Sequence, residues 1–447
     1  MSSTAVRSLP SPPPAAQLRL LRALFREPQP ALDQIARYGP VVGLGAGPLR
    51  LAVVGGPAAI RELVSMPPDR FRWNHRFNLL AVVVGEGSMI VSDGDEHRRR
   101  RSSVQAAFSR RRLARWIPMI LTRTDAAIDR AVDGTSSRID LYELGRELVL
   151  EIVVHALFGR RMADDHAAEL GDLFRRAQYY LELPAYRQLP HPFPVGRRGR
   201  VRADRAQFDR IVDTEIANRR GAPIEDPFDV LAVLVEDGTL TDAEIRDQVD
   251  TLIGAGFDTT AASIAWMMVS TAGDDTLWMR LRAEADAVLG SDVGTAGDEQ
   301  LRALDLAGRA VRETLRLHPP GALSPREAAE DLTIDGHPIR RGTMLAWSAY
   351  LAGRDRDAWP DPLRFDPDRF VDVDVTQRAL MDAAWIPFGG GRRNCIGFAL
   401  AQMELTLILA RMAQRLDVEL APGGEPRPVG MVVNRPQGGV PARISSR

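Results

Sequence analysis

The chain has 447 residues, 45% of them apolar and 26% charged, which is enough apolar material for a large core and excludes a collagen-like or disordered composition. Its 58 basic and 59 acidic residues leave a formal net charge of -1, so the whole-molecule field is weak and gives no basis for a nucleic-acid partner. A single cysteine excludes intramolecular disulfides and multi-cysteine zinc or iron-sulfur centres.

The start of the chain, with Pro10 and Pro12 to Pro14, reads as a flexible Pro-rich segment over residues 1–17, and the Arg-rich amphipathic stretch Leu18 to Arg26 follows it. Neither holds an apolar run long enough for a signal peptide or a membrane span, so a cytoplasmic protein without a membrane anchor is expected. Short strands are predicted at Val41 to Leu44 and Leu49 to Val54. Helical spacing then dominates, over Leu113 to Ala131, Leu141 to Phe158, Ala167 to Leu183, Val201 to Arg219, Thr241 to Ser270, Thr276 to Leu289 and Leu301 to Leu317. Two further strands, Asp331 to Ile334 before the turn residues Asp335 and Gly336, and Thr343 to Trp347, precede a last helix over Ile396 to Arg415. The fold class is therefore mainly α with a small β region. No Gly/Ser linker, low-complexity break or fixed-period repeat divides the chain, so residues 1–447 are read as one large domain with a minor lobe. Prolines at 184, 190, 192 and 194 cannot continue a helix, and residues 184–200 are read as a helix-helix loop, either a plain surface connection or a lid over a pocket.

The sharpest signal is the run Phe388, Gly389, Gly390, Gly391, Arg392, Arg393, Asn394, Cys395, Ile396, Gly397, placed directly before the apolar segment from Phe398 to Leu416. A lone cysteine is usually a small buried hydrophobe, but this context is not random. With 14 Phe and 37 Gly in the chain, chance alone would place Phe seven before, Gly four before and Gly two after the cysteine about 2 times in 10,000. A following helix N-terminus and two neighbouring arginines each favour a thiolate. Glycines at 389, 390 and 391 allow turns and a close approach to a flat ligand, and Phe388 is able to shield the sulfur from water.

Here the chain resembles the cytochrome P450 haem-thiolate monooxygenases of the soluble bacterial type, whose cysteine loop reads Phe, two residues, Gly, three residues, Cys, one residue, Gly. Phe388, Gly391, Cys395 and Gly397 meet all four fixed places. The resemblance implies a single triangular domain, haem b as cofactor (iron protoporphyrin IX) with Cys395 as the iron ligand, and Phe388 and Gly389 beside it. It also implies that Arg393, Arg326 in the run Ser324 to Ala328, and His97 with Arg101 four residues on, pair with the two haem carboxylates.

Glu313 and Arg316 lie three apart and share one helix face, which alone describes a common and weak surface pair. The family has this pair locked by a downstream Arg, here Arg369 in the run Asp366 to Phe370, with Asp368 where the family often has Glu. The helix from Thr241 opens with a capping box, Thr241 and Glu244, and holds Ala255, Gly256, Phe257, Asp258, Thr259 and Thr260 at its middle. The two glycines at 254 and 256 and the three polar side chains weaken helix there, so local opening is expected, with close helix packing at glycine as the other reading. By resemblance this is an oxygen-binding groove, in which Gly256 makes room and Asp258 and Thr259 relay protons during dioxygen activation.

The implied reaction inserts one oxygen atom from O2 into a hydrophobic small molecule of terpenoid, fatty acyl, steroid or polyketide type, bound among Leu79 to Met89, Leu181 to Phe193, Ile253 to Phe257, Leu323 and Met431 to Val433. Residues 396–447 are too few for a fused reductase, so electrons are expected from a separate ferredoxin and ferredoxin reductase, with the ferredoxin near Arg392 and Arg393, and a monomer is expected. Two other readings stay open: a peroxide-using haem-thiolate enzyme, which would need no acid and alcohol pair, and a non-catalytic haem-binding module.

Overall fold

A computed structural model of the chain describes residues 8–74, 80–132, 137–181, 196–222, 229–290 and 293–447. The predicted loop at 184–200 lies outside these residues as far as 195, as does most of the expected pocket stretch Leu181 to Phe193. The chain divides into two compact units: the first comprises Met1–His75, Arg309–Cys395 and Glu425–Gly438, the second Arg76–Gly308, Ile396–Gly424 and Gly439–Arg447.

The first unit is built on a five-stranded sheet. Val41–Leu44 pairs antiparallel with Leu51–Val54, which runs parallel to Met344–Trp347; Ser324–Ala328 and then Phe71–Arg72 continue it antiparallel. The apolar runs that mark these strands follow from burial on both faces. Val41, Ala52 and Val54 join a core with Ile60 and Leu63 of the helix Pro57–Ser65, whereas the alternate residues Val42, Leu44 and Val53 join a second core with Leu32 and Ile35 of the helix Pro28–Ala36. The predicted turn is present between Leu332–Ile334 and His337–Ile339, with Asp335 at φ 50 and Gly336 at φ 75, the paired positive values of a two-residue hairpin turn.

Helices make up most of the second unit. The long helix Asp242–Ala272 starts at the predicted capping box, where the Glu244 amide donates to Thr241 Oγ1 at 3.2 Å and the Thr241 amide donates to the Glu244 carboxylate at 3.1 Å. By length and composition it is able to cross a membrane, but two-thirds of its most apolar window is buried inside the protein. Its neighbour Leu141–Phe158 approaches closely at Gly145, where a Cβ would lie 3.3 Å from Ile264 Cγ2. A three-stranded sheet, Ser137–Asp140, Pro441–Ser446 and Leu416–Leu420, is joined by chain segments far apart in sequence.

One predicted helix is two. Leu301 to Leu317 divides at Leu304, whose ψ of 60 ends the helix Asp298–Ala303, and a new helix runs from Asp305 to Leu317. The Glu284 carboxylate accepts the Leu306 and Ala307 amides at 2.6 and 2.9 Å, satisfying the first turn of the second helix from outside its own sequence.

Candidate active site

In the first unit the helix Val375–Ala384 leads into the cysteine loop. Gly389 and Gly391 have φ of 70 and 65, a region that costs other residues strain. A Cβ at Gly391 would also lie 2.1 Å from the Val64 carbonyl oxygen, so the tight turn needs glycine twice over. The loop closes with the Cys395 amide donating to the Phe388 carbonyl at 2.8 Å. Cys395 is exposed and forms no disulfide, being the one cysteine of the chain. The Phe388 ring stacks at a tilt on Trp385, with centroids 5.9 Å apart.

Two predicted cations of this unit come together. The guanidinium carbon of Arg326 lies 5.1 Å from the centre of the Trp73 ring, and that of Arg393 lies 3.9 Å from it. Arg326 is 6% exposed, and burial together with the Arg393 charge lowers its pKa to about 10. Among the described residues its Nε has no hydrogen-bond partner and the side chain forms no ion pair. The buried Trp347 Nε1 is likewise without an acceptor among them. Such donors are costly unless a ligand satisfies them.

Glu313 and Arg316 are both fully buried, not a surface pair. Two parallel hydrogen bonds of 2.7 Å join them, and Arg369 Nε donates to the same Glu313 Oε1 at 2.7 Å. Arg316 Nη1 also donates to the carbonyls of Gly353 and Pro362 at 2.6 and 2.7 Å. Asp368, at the position where the family often has Glu, pairs with Arg309 at 2.6 Å.

In the second unit the expected opening of the long helix is absent: it runs unbroken through 254–260. The reason lies in packing and in how the polar side chains are used. Gly254 and Gly256 face Phe174 and Val153, which a Cβ would meet at 3.4 and 3.6 Å, so the glycines fit neighbouring helices. Thr259 Oγ1 donates to the Ala255 carbonyl at 2.6 Å without replacing a backbone bond. Asp258 is buried, accepts from the Tyr142 hydroxyl at 3.2 Å and lies 3.7 Å from Arg146 Nε. Arg146 in turn sits over the rings of Tyr142 and Phe257, at 5.6 and 5.3 Å. His97 and Arg101 share the helix Gly94–Ala107, His97 buried and Arg101 half-buried. Tyr142, Arg146 and Trp73 were not legible as site neighbours, because nothing in local spacing ties them to their partners.

Compared with known proteins, residues 12–439 match the family model described as Cytochrome P450. The chain belongs to the cytochrome P450 family. It is 36% identical over 394 residues to cytochrome P450 139 of Mycobacterium tuberculosis, covering 86% of this chain and 89% of that one. It is 29% identical over 413 residues to cyclooctat-9-en-7-ol 5-monooxygenase of Streptomyces melanosporofaciens, covering 90% and 87%. The fold matches that of the retinoic acid bound cyanobacterial CYP120A1 with a TM-score of 0.85 at 22% identity, over 99% of this chain and all of that one. This cytochrome P450 is a monooxygenase, and its family implies haem, dioxygen and a small-molecule substrate.

The residues present fit haem. Haem brings most of the ligands of its own iron and takes one from the protein. The exposed thiol in the glycine-shaped loop is of a chemical type able to be that one. The Arg326 and Arg393 pair, with an unpartnered donor, suits carboxylates.

Proposed function

We propose that this cytochrome P450 binds haem b through Cys395 and hydroxylates a hydrophobic small molecule, a terpenoid alcohol being the first class to try, with electrons from a separate ferredoxin and its reductase. The observation that carries the reading is the cysteine loop: an exposed thiol at the end of a turn that tolerates only glycine at 391 and is closed by the Cys395 to Phe388 hydrogen bond. The substrate class is supported by the name of the Streptomyces relative and by the apolar character of Leu80, Val83, Val84 and Met89 and of Ile253 and Phe257.

Haem bound through a thiolate supplies the activation of dioxygen and the transfer of one oxygen atom to carbon. The chain's residues do the rest. Cys395 has its backbone held by Phe388, so the sulfur is presented in one place. Arg326 and Arg393 of the first unit would pair with the haem carboxylates, the role the family resemblance also gives to His97 and Arg101. Thr259 Oγ1 donates to the Ala255 carbonyl, and Asp258 Oδ1 accepts from the Tyr142 hydroxyl. These two side chains are the proposed route by which protons reach the site. Arg392 is exposed while Arg393 lies on Trp73, so Arg392 is the better docking contact for an acidic ferredoxin.

The test is the carbon monoxide difference spectrum of the reduced protein. A strongly red-shifted Soret band that disappears in Cys395→Ala is expected. A band that survives the substitution would overturn the assignment. Titration of the ferric protein with terpenoid alcohols and fatty acids, read by the spin-state change, then sorts the substrate classes.

A further inference from the structure

Arg326 and Arg393 are brought against each other without any carboxylate bonded to Arg326 among the described residues. Like charges in a partly buried place repel, and proteins usually offset this with an acidic side chain. Here the common neighbour is an indole. Trp73 follows the edge strand Phe71–Arg72, whose pairing with Ser324–Ala328 sets Phe71 opposite Ala328 and Arg72 opposite Glu327. The Phe71 ring meets Trp73 edge to face at 6.2 Å and also lies 5.2 Å from the Arg326 guanidinium carbon. The aromatic pair is thus set by the strand, and both cations rest on it.

An aromatic face differs from a carboxylate in one consequential way. It attracts cations through its quadrupole but accepts no conventional hydrogen bond in the guanidinium plane, so it does not occupy the Arg326 Nε–H donor. A carboxylate in the same place would occupy the Arg326 donors that an incoming dianion needs. Arg326 Nε, buried and without a partner, is such a donor.

We propose that Trp73 is a positioning residue, whose ring holds Arg326 and Arg393 together as a dicationic seat for the two carboxylates of haem. The proposal rests on the haem-thiolate reading above. Trp73 acts through the two arginines and touches no reacting atom.

The experiment compares haem loss from the holoenzyme to excess apomyoglobin for the parent, Trp73→Leu and Trp73→Phe. Each is loaded with haem b or with haem dimethyl ester, in which the carboxylates are masked. Removing the ring is expected to speed loss of haem b by about tenfold and to leave loss of the dimethyl ester unchanged. Trp73→Phe, which keeps a weaker face, is expected to fall between, and it carries the test alone if Trp73→Leu does not fold. Equal acceleration for both cofactors would mean that Trp73 only packs, and no acceleration for either would also overturn the proposal. The carbon monoxide spectrum of the parent separates the two readings. Without a red-shifted Soret band in the parent the haem-thiolate reading itself fails, whereas a normal parent band with unchanged haem loss in both variants defeats the role of Trp73 alone.

Discussion

Arg316 holds Glu313 in a two-pronged grip, Nε to Oε2 and Nη2 to Oε1, in a place where neither side chain reaches solvent. The remaining capacity of Glu313 Oε1 goes to Arg369 and to the Asp366 amide, and Arg316 reaches three carbonyls besides, so one carboxylate ties a helix to the segment 353–369. Removing it strands two buried cations. Glu313→Ala should cost the holoenzyme about 3–5 kcal/mol, read as a lower urea midpoint. Arg316→Lys should cost nearly as much, since an ammonium cannot span both oxygens and the carbonyls. A Glu313→Ala midpoint close to that of the parent would show the lock to be dispensable.

Thr259 spends its hydroxyl on the Ala255 carbonyl, which already serves the helix, so Thr259→Ala should leave thermal stability within about 1 kcal/mol of the parent. Haem content should also hold. What should change is coupling: more hydrogen peroxide formed and less product per NADPH consumed, with ferredoxin-driven turnover. Unaltered coupling would remove Thr259 from the proton supply.

Glu404, on the helix Phe398–Arg415, is buried with Oε1 unpartnered among the described residues, and burial alone pushes its carboxyl up to about 8 from an ordinary 4.5. The folded state thus keeps a proton that the unfolded chain releases. Its contribution to stability is complete below pH 4.5 and is lost as pH rises through 8. Glu404→Gln, which stays neutral, should gain on the parent by roughly 1 kcal/mol or more at pH 9 and match it near pH 4.5. Denaturant midpoints across that range decide; parallel curves would mean that Glu404 is not protonated in the fold.

Arg205 ties three segments of the second unit. It donates to the Val83 carbonyl at 2.6 Å and pairs with Asp247 and, at 3.0 Å, with Asp250, while Asp247 also accepts the Gly87 amide at 2.8 Å. Asp250 is fully buried and its carboxyl is pushed up to about 8 by that burial even with Arg205 beside it. Arg205→Ala should speed hydrogen exchange of the amides from 83 to 89 at least tenfold, with the helix Leu141–Phe158 unaffected. Unchanged exchange there would mean that apolar packing of Val83 and Val84 holds the segment by itself.

How far this cytochrome P450 was legible depended on the range of the interaction concerned. Elements governed by neighbours in sequence came out directly: the mainly helical fold, the capping box at Thr241 and Glu244, the hairpin turn at Asp335 and Gly336, and the helix Leu141–Phe158 to the residue. The cysteine loop was equally plain, because its chemistry needs particular residue types at fixed spacing within ten positions. Contacts across hundreds of residues leave no such mark. That Glu284 would cap a helix at Leu306, that the glycines at 254 and 256 would serve packing in an unbroken helix, and that Trp73 would lie against Arg326 and Arg393 were all decided by tertiary structure. Periodicity reports which face of an element is apolar, whereas the partner across that face is selected only when the whole chain has packed.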